Sequence, residues 1–454
     1  MADRLLLRGG HVITMDTGIG ILSPGDVLIE GDEIVAVAPH IEPGNAWVKD
    51  VTGDIVIPGF IDSHRHTWET AIRNCAPNAT LDDYFVEVLD SFAPLYRPED
   101  VYASNLWGSL ECINAGITTL VDWSHINNTP DHPDAAIRGL QETGIRAQYA
   151  YGSANTSLAA YWFDSEIAVP PEDVRRIRDT YFSGDDGLLN MGLATRGPGF
   201  CKPDVWKTEW TLARELDIPI TVHVGMGRYA GHYEMVHQLA DADMLFEGTT
   251  YVHSCYLDEQ EWKLVKESGG QVSVAPQVEV QMGHGTPPTR ACRTHGIPVS
   301  LSNDVVTTVP GDMFTQMRAA FGTERLFVLN EKWLEDSDPP PDLLTAADVL
   351  EMATLNGAAV AGLAGKTGSI APGKKADVVV IDGRAPNVAP VIDPVAAVVI
   401  SADVSNVTTV IIDGKIKKED GKLVGFDLNR ARGLIEDSRD HLVAELARKK
   451  AEHD

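Results

Sequence analysis

The chain has 454 residues, 44% of them apolar, with 66 acidic against 37 basic side chains and a formal net charge of -29. That length supports a large core and more than one structural unit. So acidic a surface repels phosphate backbones and anionic membranes, so neither nucleic acid nor membrane is expected as a partner.

The N-terminal stretch "MADRLLLRGGHVITMD" is too short and too quickly charged to read as a signal peptide, and no apolar run is long enough to span a bilayer. Residues 1 to 58 read as short strands broken by turns, as in "GDVLIEGDEIVAVA" and "DIVIPG". The same texture returns over 363 to 425, in "ADVVVIDG" and "VTTVIIDGKIKKEDGKLVG". Two β-rich pieces flanking a long middle predict one small β-sandwich domain built from both termini. The last segment, 426 to 454, has helical spacing, with Asp427 as a cap and basic residues late, where a helix dipole favours them. Five cysteines, at 75, 112, 201, 255 and 292, are scattered without a CxxC pair. Reduced thiols in a cytoplasmic protein are the expectation.

The middle, 59 to 362, alternates apolar strands with helical stretches. Eight strand candidates stand out: "DIVIPGFIDSH", "TTLVDWS", "IRAQYAYG", "LNMGLATRG", "IPITVHVG", "TTYVHSC", "QVSVAP" and "PVSLSND". Eight strand–helix units over this length predict a (β/α)8 TIM barrel, an α/β fold that carries its chemistry at the C-terminal ends of the strands. The residues there are His64 and His66 on strand one, Trp123 and His125 on strand two, and Arg196 on strand four. Strands five, six and eight give His223, His253 and Asp304.

Residues at i and i+2 of a strand point the same way, so His64 and His66 aim two nitrogens into the barrel mouth. With His223 and Asp304 they make a three-histidine, one-carboxylate set. Such a set suits one divalent transition metal, Zn²⁺ first and Fe²⁺ or Mn²⁺ as alternatives, which lowers the pKa of its water toward neutrality. A single histidine would be read as a satisfied core residue. Four such residues at the strand ends of one barrel are hard to dismiss.

Several segments together resemble the amidohydrolase superfamily: "PGFIDSHRHTWET", "INAGITTLVDWSH", "TVHVG", "YVHSCYLDEQE", "SLSNDV" and "ATLNGAAVAGLAGKTGSIAPGKKADVVVIDG". The branch resembled is the chlorohydrolase and aminohydrolase group acting on triazines, cytosine and guanine, and the match runs over nearly the whole chain. The resemblance implies a metal on His64, His66, His223 and Asp304, a substrate-polarising role for His253, and Asp304 as acceptor of a proton from the attacking water. The superfamily's two-metal members use a strand-four lysine. "LNMGLATRG" has none, which implies one metal. Hydrolysis at an sp² carbon with cleavage of a C–N bond follows, foremost deamination of an amino-substituted N-heterocycle. Opening of a cyclic amide, displacement of another leaving group, or a lyase or decarboxylase reaction are the alternatives. Relatives on the fold are often dimers or larger, which leaves room for a homo-oligomer around a small-molecule substrate.

Two departures from the branch stand out. Its deaminases follow the strand-five histidine three residues later with a proton-shuttling Glu; here Met226 stands there, and a thioether carries no proton. The strand-seven region reads "APQVEVQMGHG" in place of Pro-x-Ser-Asn, which supplies Glu279 and His284. Either of these replaces the shuttle, or Glu279 pairs with Arg196 or Arg228 and only shapes the pocket. For substrate contacts, Trp68 can stack on a flat ring and Glu69 can accept from ring or exocyclic N–H groups, unless Trp68 simply packs and Glu69 pairs with Arg73 at i,i+4. His125, Arg196, His232 and His284 complete the candidates for the mouth, although a structural ion pair is the default for an arginine. The run "EKWLEDSDPPPD", 331 to 342, reads as a surface connection or a lid.

Overall fold

The run "DIVIPGFIDSH" divides at Gly59 in the computed structural model, which describes residues 4–162, 165–184, 187–229 and 234–452. Ile55–Pro58 joins one sheet and Phe60–Arg65 another. A Cβ at position 59 would lie 2.0 Å from Thr118 Oγ1, so glycine lets the chain cross from one sheet to the other.

The first sheet has nine strands and is mixed. Arg4–Ile13, Ile21–Glu30, Glu33–Ala38, Trp47–Asp50 and Ile55–Pro58 come from the N-terminal part of the chain. Val378–Ile381, Val407–Ile412, Lys415–Glu419 and Lys422–Leu423 come from the C-terminal part. The seam is the antiparallel pairing of Ile55–Pro58 with Val378–Ile381. These seam strands are apolar without a break because alternate residues serve different cores. Val56, Val378, Val380 and Ile411 enter the core of this sheet, with Leu5, Val27 and Ile34. Ile55, Ile57, Val379, Ile381, Val410 and Ile412 enter the large core shared with the barrel.

The second sheet has eight parallel strands paired in chain order. They are Phe60–Arg65, Ile117–Ser124, Arg146–Tyr151, Leu189–Thr195, Ile220–Val224, Thr250–His253, Gln271–Val274 and Val299–Leu301. Each of the eight candidates contributes one barrel strand, the first only through its second half. Seven of them are buried at every position, as parallel strands covered on both faces must be. The first and last strands are tied just beyond their ends. The His66 amide donates to the Asp304 carbonyl at 2.9 Å, and the Asp304 amide donates to the His64 carbonyl at 3.0 Å. This backbone closure brings three of the four expected metal ligands to one point.

The helix Leu428–Ala451 starts at Asp427, whose carboxylate accepts from the Arg430 amide at 3.0 Å, and carries Arg448, Lys449 and Lys450 in its last turn. It packs Ala431 against Leu106 and Leu110 of the helix Pro98–Asn114. Of the run 331 to 342, the first four residues finish the helix Met313–Leu334 and the rest is a mostly exposed connection. A buried ion cluster joins the sheets: Arg146 Nε lies 2.8 Å from Asp377 Oδ2, and Arg146 Nη2 lies 3.0 Å from Asp413 Oδ1.

Candidate active site

The closure of strand one on strand eight fixes the centre of the barrel mouth. His64 Nε2 lies 3.2 Å from Asp304 Oδ1 and 3.2 Å from His223 Nε2. His66 Nε2 lies 3.3 Å from the same Asp304 oxygen, and His253 Nε2 lies 3.8 Å from Asp304 Oδ2. One ligand atom from each of His64, His223, His253 and Asp304 falls within 4.8 Å of the others. All five side chains are buried. His253 and Asp304 hold left-handed backbone, with φ of +70° and +59°, which side-chain-bearing residues adopt at some energetic expense and which concentrates at functional sites.

The protons in this cluster can be placed from the partners behind it. His66 Nδ1 lies 3.2 Å from the Trp123 carbonyl oxygen, which only an N–H satisfies, so in the neutral ring Nε2 presents a lone pair to Asp304. Burial, followed by the neighbouring imidazole of His64, holds His223 well below the usual histidine range. Burial takes His64 down to about 4. Burial works against an ionised Asp304, but the surrounding imidazoles outweigh it and hold its carboxyl well below the usual range. Burial works against a charged His66 as well, but the bond to the Asp304 carboxylate outweighs it and raises His66; the rings of His64 and His223 are held neutral beside that carboxylate. A proton shared between any two of them leaves the others facing without an intervening charge, whereas a divalent cation satisfies all at once. The donor set therefore fits a metal ion.

Beside the cluster is a narrow cavity of about 30 Å³ whose wall includes His66, His125, His223, His253, His284 and Asp304. The remaining wall is apolar and aromatic: Leu81, Tyr84, Phe85, Trp162, Met226, Met282 and Val305. Of the residues singled out as substrate contacts, His125 and His284 reach this wall. Trp68 and Glu69 stand one layer behind it, which corrects the expectation of direct contact. Trp68 is fully buried and its indole N–H donates to His125 Nδ1 at 3.4 Å. Glu69 accepts from the Tyr84 hydroxyl at 2.5 Å and from Thr307 Oγ1 at 3.2 Å, and burial pushes its carboxyl up to about 7. Arg73 pairs with Glu111 at 2.7 Å and not with Glu69.

Arg196 is corrected in the same way. Its guanidinium is buried against Glu209 at 3.0 Å and Ser165 Oγ at 2.9 Å, and it also donates to the Ile167 carbonyl. It ties Ala160, Ser165 and Ile167 to the barrel and does not line the cavity. Glu279 pairs with neither Arg196 nor Arg228; Arg228 lies 3.1 Å from Asp82. Glu279 Oε1 instead lies 3.2 Å from His253 Nδ1 and accepts from the Ala275 amide at 2.9 Å. It stands behind His253 and off the cavity wall. His232 lies outside the described residues.

Tyr84, Phe85 and Trp162 were not singled out from the sequence. They come from connections between strands, and reading strand ends alone passes over them. The aromatic pair in "LDDYFVEVLD" was the available signal.

A family model for the amidohydrolase family matches residues 55–417. The chain belongs to the amidohydrolase family. Among curated relatives, the 5'-deoxyadenosine deaminase of Methanothermobacter thermautotrophicus is 30% identical over 432 residues, covering 93% of this chain and 94% of that one. Two solved structures share the fold. An adenosine deaminase from Xanthomonas campestris with bound zinc has a TM-score of 0.84 at 22% identity, covering 98% of this chain and 99% of that one. Atrazine chlorohydrolase from Arthrobacter aurescens, complexed with zinc, has a TM-score of 0.83 at 23% identity, covering 96% of this chain and 100% of that one. In this amidohydrolase the barrel mouth carries a buried His/Asp group suited to a metal, His64, His223, His253 and Asp304, in which His253 stands where the resemblance implied His66.

Proposed function

We propose that this amidohydrolase is a metal-dependent hydrolytic deaminase of amino-substituted N-heterocycles, with adenine nucleosides as the first substrate class. The observation that carries the reading is the convergence of His64 and His66 nitrogens on Asp304, with His223 against His64, beside a cavity with aromatic walls. The 5'-deoxyadenosine deaminase relative directs it to the adenine ring.

His64, His66, His223 and Asp304 would hold one ion, Zn²⁺ before Fe²⁺ or Mn²⁺. When bound, the ion supplies the Lewis acidity that makes water nucleophilic near neutral pH. Asp304 accepts a proton from the attacking water. His253, next to Asp304 and fixed from behind by Glu279, bonds the group under attack and steadies the charge that develops there. Glu279 acts through His253, so its candidate role narrows from proton shuttle to positioning residue. Tyr84, Phe85 and Trp162 exclude water and present apolar faces to a planar ring.

One observation favours a second reading. Met226 lines the cavity with a side chain that cannot protonate a leaving amine. Displacement of a group that leaves without a proton, or opening of a cyclic amide, fits that wall. The test is zinc-loaded protein offered 5'-deoxyadenosine, 5'-methylthioadenosine, cytosine, guanine, amino- and chloro-triazines and cyclic amides. Ammonia from an adenine nucleoside supports the first reading. Turnover of chloro-triazines or cyclic amides with no ammonia from any amino compound replaces it with the second.

A further inference from the structure

The polar groups on the cavity wall differ in what already engages them. His66, His223, His253 and Asp304 face one another in the cluster. The Tyr84 hydroxyl donates to Glu69, and His125 accepts from Trp68. His284 is 3% exposed and lines the cavity, and neither Nδ1 nor Nε2 has a hydrogen-bond partner among the described residues. Two orphaned nitrogens on one buried ring are costly unless something else satisfies them. The ring stands edge-on to His253, with centroids 4.5 Å apart.

The backbone shows that this placement is built. His284 is flanked by Gly283 and Gly285, with φ of +76° and +138°. A Cβ on residue 285 would fall 2.7 Å from Cys255 Cβ and from the Tyr256 ring, so the turn requires glycine there. The His284 carbonyl accepts from the Gly227 amide at 2.7 Å. That bond ties His284 to the residue after Met226, and both side chains line the cavity.

We infer that His284 is the specificity-determining hydrogen-bond partner of the substrate, reading a nitrogen or carbonyl on the ring edge next to His253. This rests on the reading of the site as one for N-heterocycles. An imidazole offers one N–H donor and one acceptor nitrogen, so a ligand whose edge carries a ring nitrogen or carbonyl is matched and an all-carbon edge leaves the ring unsatisfied.

The test uses full-length zinc-loaded protein, wild type, H284F and H284Q. Turnover is followed with 5'-deoxyadenosine, and calorimetric binding with 5'-deoxyinosine, which has no amino group to lose. H284F is expected to raise KM and weaken 5'-deoxyinosine binding by about 10-fold or more, because a buried partner lost at a recognition edge discriminates on that scale. H284Q should stay within about 3-fold, with zinc content and Tm unchanged in both. In wild-type protein, the ring ¹⁵N resonances that vanish in H284Q should shift when 5'-deoxyinosine is added, a readout that does not depend on H284F folding. Ammonia release with unaltered KM and binding in H284F overturns the inference and leaves the deaminase reading standing. Weakened binding in H284F, with no ammonia from any amino compound in wild type, overturns the deaminase reading and supports the inference. No binding of 5'-deoxyinosine to wild type, or unmoved His284 resonances, overturns the inference.

Discussion

Glu279 holds His253 from behind: its Oε1 lies 3.2 Å from His253 Nδ1, while His253 Nε2 faces Asp304 Oδ2 at 3.8 Å. A carboxylate bonded to the far nitrogen of an active-site histidine fixes both the tautomer and the ring plane. Glu279→Gln keeps an oxygen to accept from Nδ1 but loses the charge, and Glu279→Ala loses both. Removing such a support costs about 10- to 100-fold, so E279A should lower kcat by that range with KM little changed, and E279Q by less. Steady-state kinetics at constant zinc content is the measurement. A loss in E279Q of 10⁴-fold or more would restore Glu279 to direct proton transfer.

Metal removal gives the second prediction. Protein purified with zinc should hold close to one ion per chain by elemental analysis, and H223A or D304A should hold less than about a tenth of that. Dialysis against a chelator should lower Tm, and zinc should restore it, because a ligand that binds only the folded state stabilises it, by about 2.7 kcal/mol at a free concentration 100 times Kd. Variants that keep stoichiometric zinc would show that His223 and Asp304 do not hold it.

The His/Asp cluster at the barrel mouth was legible in the sequence because two simple rules agree. His64 and His66 are two apart at the end of an apolar run, and His223, His253 and Asp304 each close a strand candidate of their own. The composite sheet was legible because strand texture appears at both ends of the chain. The second layer was not. Arg196 also closes a strand, but Glu209 of the helix Pro203–Leu216, with Ser165 and the Ile167 carbonyl, holds its guanidinium off the cavity wall. Trp68 lies two residues past His66, yet a short 3₁₀ helix, Thr67–Ile72, places it behind His125. The left-handed φ at His253 and Asp304 had no glycine to announce it. Contacts of this kind depend on where a following helix lands, and residue pattern along one segment does not carry that.

Arg146 makes the third prediction. Its guanidinium lies between Asp377 and Asp413 of the composite sheet at 2.8 and 3.0 Å, and it is nearly fully buried on the third barrel strand. Arg146→Met would leave two carboxylates close together without their cation. Breaking a buried pair from one side costs about 3–5 kcal/mol, far more than an exposed pair is worth. Urea unfolding should show a loss near the lower end of that range, since Asp413 is partly exposed. Zinc content of the folded protein should not change, because the cluster sits at the opposite ends of the strands. Adding D377N to R146M should recover part of the loss, and a fully additive double variant would show that the two residues do not act as a pair.

Lys418 gives a prediction in pH. Its side chain is buried where the composite sheet meets the barrel, donates to the Asn114 carbonyl at 2.7 Å, and is lowered by burial from 10.5 to about 8. The unfolded chain keeps the ordinary lysine value, so between about pH 8 and 10.5 the unfolded state binds more protons than the folded one. Stability contributed by this residue therefore rises with pH across that window. Below it, both states are charged and the full desolvation penalty applies. Lys418→Met removes the buried charge and keeps most of the volume. At pH 7 the variant should be the more stable by about 1 kcal/mol, a figure reduced from the full shift because solvent and the Asn114 bond relieve part of the burial. Urea unfolding at pH 7, 8, 9 and 10 should show that advantage shrinking once pH passes 8. Loss of the bond to Asn114 changes the offset between the two proteins but not the slope. A difference that stays flat from pH 7 to 10 would mean that Lys418 titrates as it does in the unfolded chain.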